Sequence, residues 1–249
     1  MKRILPEIEI MSLKFENKTK KEYLHDVSRR LKQDKKTMIF TPNPQILLYA
    51  KKHPETLQIL NRANILIPDG SGILLASKLR GSPLRERVAG IDFAEDILKL
   101  ACTQKLSVFL LGGKPRVARD AAIKLKSTMP DLKICGCHHG YFDKDGSENE
   151  AVKLKIKKAN PDIIFVCFGS PLQEKWITQS FYSDELKSVR LAIGLGGSLD
   201  VWSGNLPRAP KLFQAISCEW LWRMIIEPKR CKILFDIPRF LYYSLKKKK

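Results

Sequence analysis

A single carboxylate, Asp69, follows the apolar run "NILIP" and stands before a Gly-Ser-Gly turn. The side chain of aspartate ordinarily has a pKa of about 3.9, so it is ionised at neutral pH unless it is strongly desolvated, and at the end of a buried strand it can act as a general base. Aspartate is also common in turns and at helix N-caps. The residue alone leaves a catalytic and a structural role open.

Further polar residues and glycines end other apolar runs of the chain. They are Thr41, Asn43, Gly112, Gly113, Gly169, Gln173, Gly194, Gly196 and Gly197. Each alone is an ordinary turn former. Together they end several predicted strands, and open parallel sheets bind ligands at the carboxyl ends of their strands. The pattern therefore predicts a small-molecule site.

The glycine-rich turns do not predict a nucleotide cofactor. The turn "GLGGSLD" lacks the G-x-G-x-x-G spacing of dinucleotide-binding folds, and "LLGGKP" lacks the Lys-Ser/Thr pair of a phosphate-binding loop. A nicotinamide-dependent oxidoreductase is therefore disfavoured, and no cofactor is expected.

Two polar stretches resemble metal sites but do not predict one. In "CGCHH", at 135–139, adjacent side chains of a strand cannot readily all face one ion, and no partner pair lies elsewhere. The D-x-D at 143–145 lies in the polar stretch "YFDKDGSENE", which is typical of a solvated turn. No metal is expected at either place.

The elements that position these residues follow a strand-turn-helix order. The runs "TMIF", "NILIP", "SVFLLGG", "DIIFVCFGS" and "VRLAIGLGG" each lead through a turn into a further element, in most cases a helical pattern. They are apolar almost throughout, as in parallel strands covered on both faces. The sequence predicts an α/β, Rossmann-like fold, with a mostly parallel sheet and helices on both faces.

The composition changes near Arg208, which predicts an α/β core at 1–207 and a small helical appendage at 208–249. From residue 223 to the end there are nine basic and two acidic residues, interleaved with apolar and aromatic ones. This segment is a solvated face, a nucleic-acid patch or an amphipathic membrane contact. Pro238 predicts two short helices here rather than one.

Net charge, cysteine content and the length of the apolar runs indicate the kind of partner and the cellular compartment. The 249 residues carry 45 basic and 26 acidic side chains, a net charge of +19 that predicts an anionic partner. Six cysteines without a C-x-x-C pair fit free thiols in a reducing cytosol. No apolar run approaches the roughly 18 residues of a spanning helix, and the start does not read as a signal peptide. A cytoplasmic protein, peripheral on a membrane, is expected.

Several stretches occur together in an order typical of one known family. They are "TPNPQ", "IPDGSGILLASK", "RVAG", "LLGG", "HHGYF", "GSPLQEKW", "GLGGSLDVWSGNLPRAP" and "EWLWRMIIEPKR". From about Thr37 to about Arg239 the chain resembles the WecG/TagA/CpsF family of bacterial glycosyltransferases. It is most similar to the TagA-like members, which transfer N-acetylmannosamine, with inversion, from its UDP donor to N-acetylglucosaminyl-diphospho-undecaprenol in wall teichoic acid linkage synthesis.

The resemblance implies partners and a place in the cell. The partners are a UDP-sugar donor, an undecaprenyl-diphosphate-linked acceptor and the anionic inner face of the cell membrane, and the family also admits a homo-oligomer. Relatives use N-acetylmannosamine, its uronic acid or other sugars, so the sugar stays open. The rival class is a nucleic-acid-binding α/β protein, which only the basic charge favours, because no RNA-binding motif or aromatic stacking array is present.

The resemblance also gives roles to individual core residues. Asp69 aligns with the proposed catalytic base of the family. The substrate pocket maps onto Thr41, Asn43, Arg87 and Gln173. An inverting transfer needs a base for the acceptor hydroxyl and positive charge for the departing UDP.

In the appendage, Arg223 and Arg230 match family arginines, and they are expected to bind the diphosphate without a metal. Two positions depart from the family pattern. Ile233 stands where TagA-like members carry a third basic residue, and Gln45 stands where an acidic residue is common.

Overall fold

The computed structural model of the chain describes residues 7–215, 218–227 and 233–246. The strands are β1 (Glu7–Ile10), β2 (Leu13–Glu16), β3 (Thr37–Phe40), β4 (Ile65–Leu66), β5 (Ser107–Gly112), β6 (Lys133–His138), β7 (Ile163–Cys167) and β8 (Leu191–Gly194). The helices are α1 (Lys20–Lys32), α2 (Pro44–Lys52), α3 (Pro54–Leu60), α4 (Ser71–Leu79), α5 (Gly90–Thr103), α6 (Val117–Thr128), α7 (Ser147–Ala159), α8 (Leu172–Ser180), α9 (Ser198–Trp202), α10 (Lys211–Ala215), α11 (Glu219–Ile226) and α12 (Ile233–Leu245). A 3₁₀ turn spans Asp184–Leu186.

Six strands form one parallel sheet in the order β4-β3-β8-β7-β5-β6. The prediction of an α/β, Rossmann-like fold is confirmed. The first two strands form a separate antiparallel hairpin, which the sequence analysis did not predict. Strands β3, β5, β7 and β8 are almost wholly buried, because helices cover both faces, and this explains their unbroken apolar sequences.

The core consists of two apolar clusters, one on each face of the sheet. Along β5, Val108 and Leu110 join the first cluster, and Phe109 and Leu111 join the second. Helices α1, α5, α6 and α9 cover the first face. Helices α2, α4, α7, α8 and α12, with the β1–β2 hairpin, cover the second face. Successive side chains of a strand point to opposite faces of the sheet, so each strand contacts both groups of helices.

Strand β6 lacks the continuous apolar run of the other long strands because it is an edge strand. Its residues are exposed or half-buried, and none is buried. It carries Cys135, Cys137 and His138, from the stretch that resembles a metal site. Among the described residues, no group of three or more His, Cys, Asp or Glu side chains is arranged to hold a metal ion.

The C-terminal helix α12 packs against α2 and α4, and its Phe240 is fully buried in the second cluster. The prediction of two short helices is wrong, because Pro238 lies inside this one continuous helix. A proline costs a helix one backbone hydrogen bond, and packing of this helix on the core is sufficient to outweigh that loss. The division at residue 207 stays a prediction. In the part of the chain that the structure describes, no helix is long and apolar enough to cross a bilayer.

A substitution at Gly112 tests how much the close contact between β5 and β7 contributes to stability. The φ of Gly112 is +141°, and a Cβ added there would collide with the backbone carbonyl of Cys167. We expect Gly112→Ala to lower the free energy of unfolding by about 2 to 4 kcal/mol, because strain at φ adds to overpacking. Denaturant unfolding measures the change.

Gly81→Ala is the matched control. Gly81 has a φ of +76°, but nothing lies within 4 Å of an added Cβ. It should cost only the strain of about 1 kcal/mol. Equal losses in the two variants would show that the close approach of β5 and β7 contributes nothing.

Candidate active site

A cavity of about 590 Å³ lies at the carboxyl ends of β3, β4, β7 and β8, and residues of α11 and α12 close one side of it. Most of the predicted site residues line it: Thr41, Asn43, Asp69, Arg87, Gly169, Gln173 and Arg223. The convergence of strand ends expected from the sequence therefore produces a cavity. Arg230 lies outside the described residues.

Asp69 is held where three elements meet. Its backbone N–H donates to the carbonyl of Pro42 at 3.2 Å, which ties the end of β4 to the end of β3. Its carboxylate accepts the backbone N–H of Gly90, the first residue of α5. The adjacent helix α4 has Gly70 at its N-cap and no side-chain cap bond. Asp69 is thus not the cap of the helix that follows it, and its carboxylate is free to face the cavity.

The pKa of Asp69 is raised to about 6 because the surrounding protein removes most of the water from its carboxylate. Arg87 and Arg223 oppose this shift by their positive charge, and the Gly90 N–H opposes it by its hydrogen bond. Glu219 acts in the other direction and raises the pKa further. At neutral pH the group is still mainly ionised, and it is more basic than an ordinary aspartate.

Thr41 and Gln173 join the strand ends behind Asp69. The Thr41 hydroxyl donates to the Gly194 carbonyl at 3.2 Å. The side-chain carbonyl of Gln173 accepts the N–H of Gly196 at 2.8 Å, and its amide donates to Glu174 at 2.8 Å. These bonds fix the orientation of the Gln173 amide at the cavity wall.

Comparison with known proteins assigns this arrangement to a family. The family described as "Glycosyl transferase WecG/TagA/CpsF family" matches the chain over residues 8–249. The chain belongs to this family. The resemblance stated from the sequence is thereby confirmed, and the cavity described above is in a glycosyltransferase.

Two relatives carry a more specific name. A protein of Staphylococcus aureus (strain NCTC 8325 / PS 47), named N-acetylglucosaminyldiphosphoundecaprenol N-acetyl-beta-D-mannosaminyltransferase, is 34% identical over 244 residues, or 97% of this chain and 93% of that protein. A protein of Bacillus subtilis (strain 168) with the same name is 36% identical over 212 residues, or 85% of this chain and 80% of that protein. Neither the family match nor these relatives support the nucleic-acid-binding interpretation.

In this glycosyltransferase the amide of Asn43 has a structural task. Its side-chain oxygen caps α2 by accepting the Ile46 N–H at 3.0 Å, and Pro44 begins the helix. Gln45, one residue further, contacts the Asp236 carboxylate of α12 at 3.2 Å. An acidic residue at position 45 would face Asp236 with a like charge, so the departure from the family pattern fits the docking of α12. The other departure, Ile233, has a side chain outside the described residues.

Glu219 and Arg208 also line the cavity, and their ionic contacts were not predicted from the sequence. Glu219 lies 3.5 Å from Arg87 and 3.8 Å from Arg208. Both residues were inside quoted family stretches, but an acidic residue in a strongly basic segment reads as solvated surface. Only the fold brings α11 next to the loop that carries Arg87.

A second, more open cavity continues from the first along the sheet edge. The two share Gly169, Gly196 and Gly197. The predicted residue Gly113 lines this second cavity, and Gly112 lines neither, because it is packed against β7. Tyr141 stands exposed at its wall.

The D-x-D lies at the wall of the second cavity and forms the predicted turn. The Asp143 carboxylate accepts the Asp145 N–H at 3.0 Å. Lys144 donates to the carbonyls of Gly140 at 2.7 Å and Phe142 at 2.6 Å. Burial lowers the pKa of Lys144. The lysine thus fixes the shape of this wall.

The displaced pKa of Asp69 has a consequence for stability. A carboxyl whose pKa rises from 3.8 to about 6 on folding destabilises the folded state at all pH values above about 6, and this penalty vanishes as the pH falls below about 4. At pH 7.5 we therefore expect the free energy of unfolding of Asp69→Asn to be higher than that of the native protein by about 1 to 3 kcal/mol. Denaturant unfolding between pH 4 and pH 8 measures the difference.

The pH series supplies its own control. The gap between Asp69→Asn and the native protein should shrink as the pH falls from 6 to 4, because both side chains are then uncharged. A difference in the free energy of unfolding that is absent at pH 7.5, or constant with pH, would show that folding does not raise the pKa of this carboxylate.

Proposed function

We propose that this glycosyltransferase moves N-acetylmannosamine, or a related sugar, from a UDP-sugar to polyprenyl-diphosphate-linked N-acetylglucosamine, with inversion, in teichoic acid or surface polysaccharide synthesis. The observation that carries the proposal is a carboxylate with a raised pKa, Asp69, in the same cavity as Arg87 and Arg223. The names of the two relatives support the choice of donor and acceptor.

The chemistry requires one base and a cationic site. As the acceptor hydroxyl attacks the anomeric carbon, its proton passes to Asp69 and the bond from that carbon to UDP breaks. The electron pair leaves with UDP, whose growing negative charge Arg87 and Arg223 stabilise. Arginine forks bind diphosphate oxygens in pairs, so we infer that they take the part that a divalent metal has in D-x-D transferases.

The donor is expected to occupy both cavities. Its sugar and diphosphate belong beside Asp69 and the arginines, and its nucleoside extends past the shared glycines toward Tyr141. Glycines at 169, 196 and 197 present backbone without side chains along this path. An exposed aromatic ring is a suitable surface for a base to stack on.

The decisive experiment offers a panel of UDP-sugars with a lipid-diphosphate acceptor and identifies products by mass. We expect a product one N-acetylhexosamine heavier from UDP-N-acetylmannosamine. Asp69→Asn should lower turnover by about 10²-fold or more, because it keeps the shape of the side chain and removes the base.

UDP binding by calorimetry is the control, and it should change little in Asp69→Asn. Turnover at the native rate in this variant would remove Asp69 from the mechanism. Absence of product with every UDP-sugar of the panel would contradict the proposed donor class.

We further propose that residues 208–249 bind the anionic inner face of the membrane, where the lipid-linked acceptor lies. On α12, Phe235 is 79% exposed and Tyr242 is 61% exposed. On the neighbouring α4, Leu75 and Leu79 are exposed as well. Apolar side chains beside a basic segment suit an anionic bilayer, at which each Lys or Arg contributes about 1 kcal/mol. A homo-oligomer stays a prediction.

The membrane proposal is tested by co-sedimentation of the full chain with anionic liposomes. The double variant Phe235→Glu/Leu79→Glu replaces one exposed apolar side chain on each of these two helices, α12 and α4, by a negative charge, so we expect binding to fall by about tenfold. Higher salt should weaken binding of the native protein without abolishing it.

Ile123→Glu is the matched control, because Ile123 is an exposed apolar residue of α6, which covers the other face of the sheet. It should bind liposomes like the native protein. Equal losses in Ile123→Glu and in the single variant Phe235→Glu, which change the net charge by the same amount, would show that net charge, not this surface, governs binding.

A further inference from the structure

We propose that Glu219 is a positioning residue: it is the internal counter-ion that docks α11 onto the core through Arg87 and Arg208 and couples this docking to Asp69. The inference rests on the proposed role of Asp69 as the base. Glu219 takes no part in the proposed transfer step itself.

Glu219 contacts two arginines at once. One carboxylate oxygen of Glu219 lies 3.5 Å from Arg87, and the other lies 3.8 Å from Arg208. The side chains are 21%, 14% and 26% exposed for Glu219, Arg87 and Arg208, so bulk water screens these pairs only in part. One carboxylate thus bridges two cations at the rim of the cavity.

The core holds one of these two cations, Arg208, in place. Arg208 forms an ion pair with Asp92 and lies 3.6 Å from Glu95, both on α5. Glu95 in turn accepts the indole N–H of Trp202 at 3.3 Å. Glu219 therefore meets an arginine that α5 already orients, which favours one docked position of α11.

The helix that carries Glu219 also carries an arginine that acts on Asp69. Glu219 and Arg223 are four residues apart, one turn of α11, so docking brings an anion and a cation to the cavity together. The groups that act on Asp69 are Arg87, from the loop before α5; Arg223 and Glu219, from α11; and the Gly90 N–H of α5. The Glu219 charge raises the pKa of Asp69, whereas the others lower it.

The role follows from these opposing charges. Two arginines alone would stabilise the ionised form of Asp69 and make it a weaker base. Glu219 offsets part of this effect and keeps Arg87 extended into the cavity before a diphosphate arrives. Within α11, Glu219 thus offsets part of the effect that Arg223 has on the pKa of Asp69.

The test is the pH dependence of kcat/KM in Glu219→Gln, which keeps the shape and removes the charge. Because the anion that raises the pKa of Asp69 is gone, the acid limb should move to lower pH by about half a unit or more. A side chain that served only to pack α11 would lower the rate equally at every pH. An acid limb at the native position overturns the proposal.

Asp236→Asn is the matched control, because it removes another carboxylate of the same cavity, and its acid limb should stay at the native position. If Glu219→Gln is too slow to assay, a ¹³C titration of the Asp69 carboxyl in the native protein and the variant measures the same shift without turnover. Native turnover in Asp69→Asn would contradict the proposed function. An unmoved acid limb in Glu219→Gln beside an inactive Asp69→Asn would contradict only the role of Glu219.

Discussion

The arrangement around the cavity depends on one constraint. The Asp69 carboxylate, at the carboxyl end of a parallel sheet, has little access to water and needs nearby groups that stabilise its charge. Burial disfavours the charge of Asp69, and two arginines and one backbone N–H offset this only in part. Asp69 itself follows β4, and these groups come from the start of α5, the loop before it and α11. A change in the packing of any one of these elements therefore alters the pKa of the Asp69 carboxylate.

The same constraint explains why residues without a part in bond making surround the site. Thr41 joins β3 to β8, and Gln173 joins α8 to the turn after β8. Gln173 is itself held by Glu174, whose burial raises its pKa and whose second oxygen has no hydrogen-bond partner among the described residues. Such bonds fix the strand ends, so the cavity walls exist before a substrate enters.

The sequence predicts those features of the structure that depend on neighbouring residues, and it does not predict those that depend on residues far apart in the chain. Strands β5 and β7 are buried on both faces, so local composition reveals them, and Asp69 at a strand end follows directly. Edge strand β6 has no such signal, and Pro238 misleads because packing on α2 and α4 outweighs the local cost. The Glu219–Arg87 contact spans 132 positions, so no local pattern contains it.

The C-terminal helices face two environments at once. On α12, Asp236 and Ile237 line the cavity and Phe240 is buried, while Phe235 points to the outside. On α11, Glu219 and Arg223 reach the cavity and Ile225 is exposed. The proposed contact with the membrane would bring the exposed apolar side chains and the cavity charges of these two helices to a lipid-linked acceptor together, because both sets lie on the same helices.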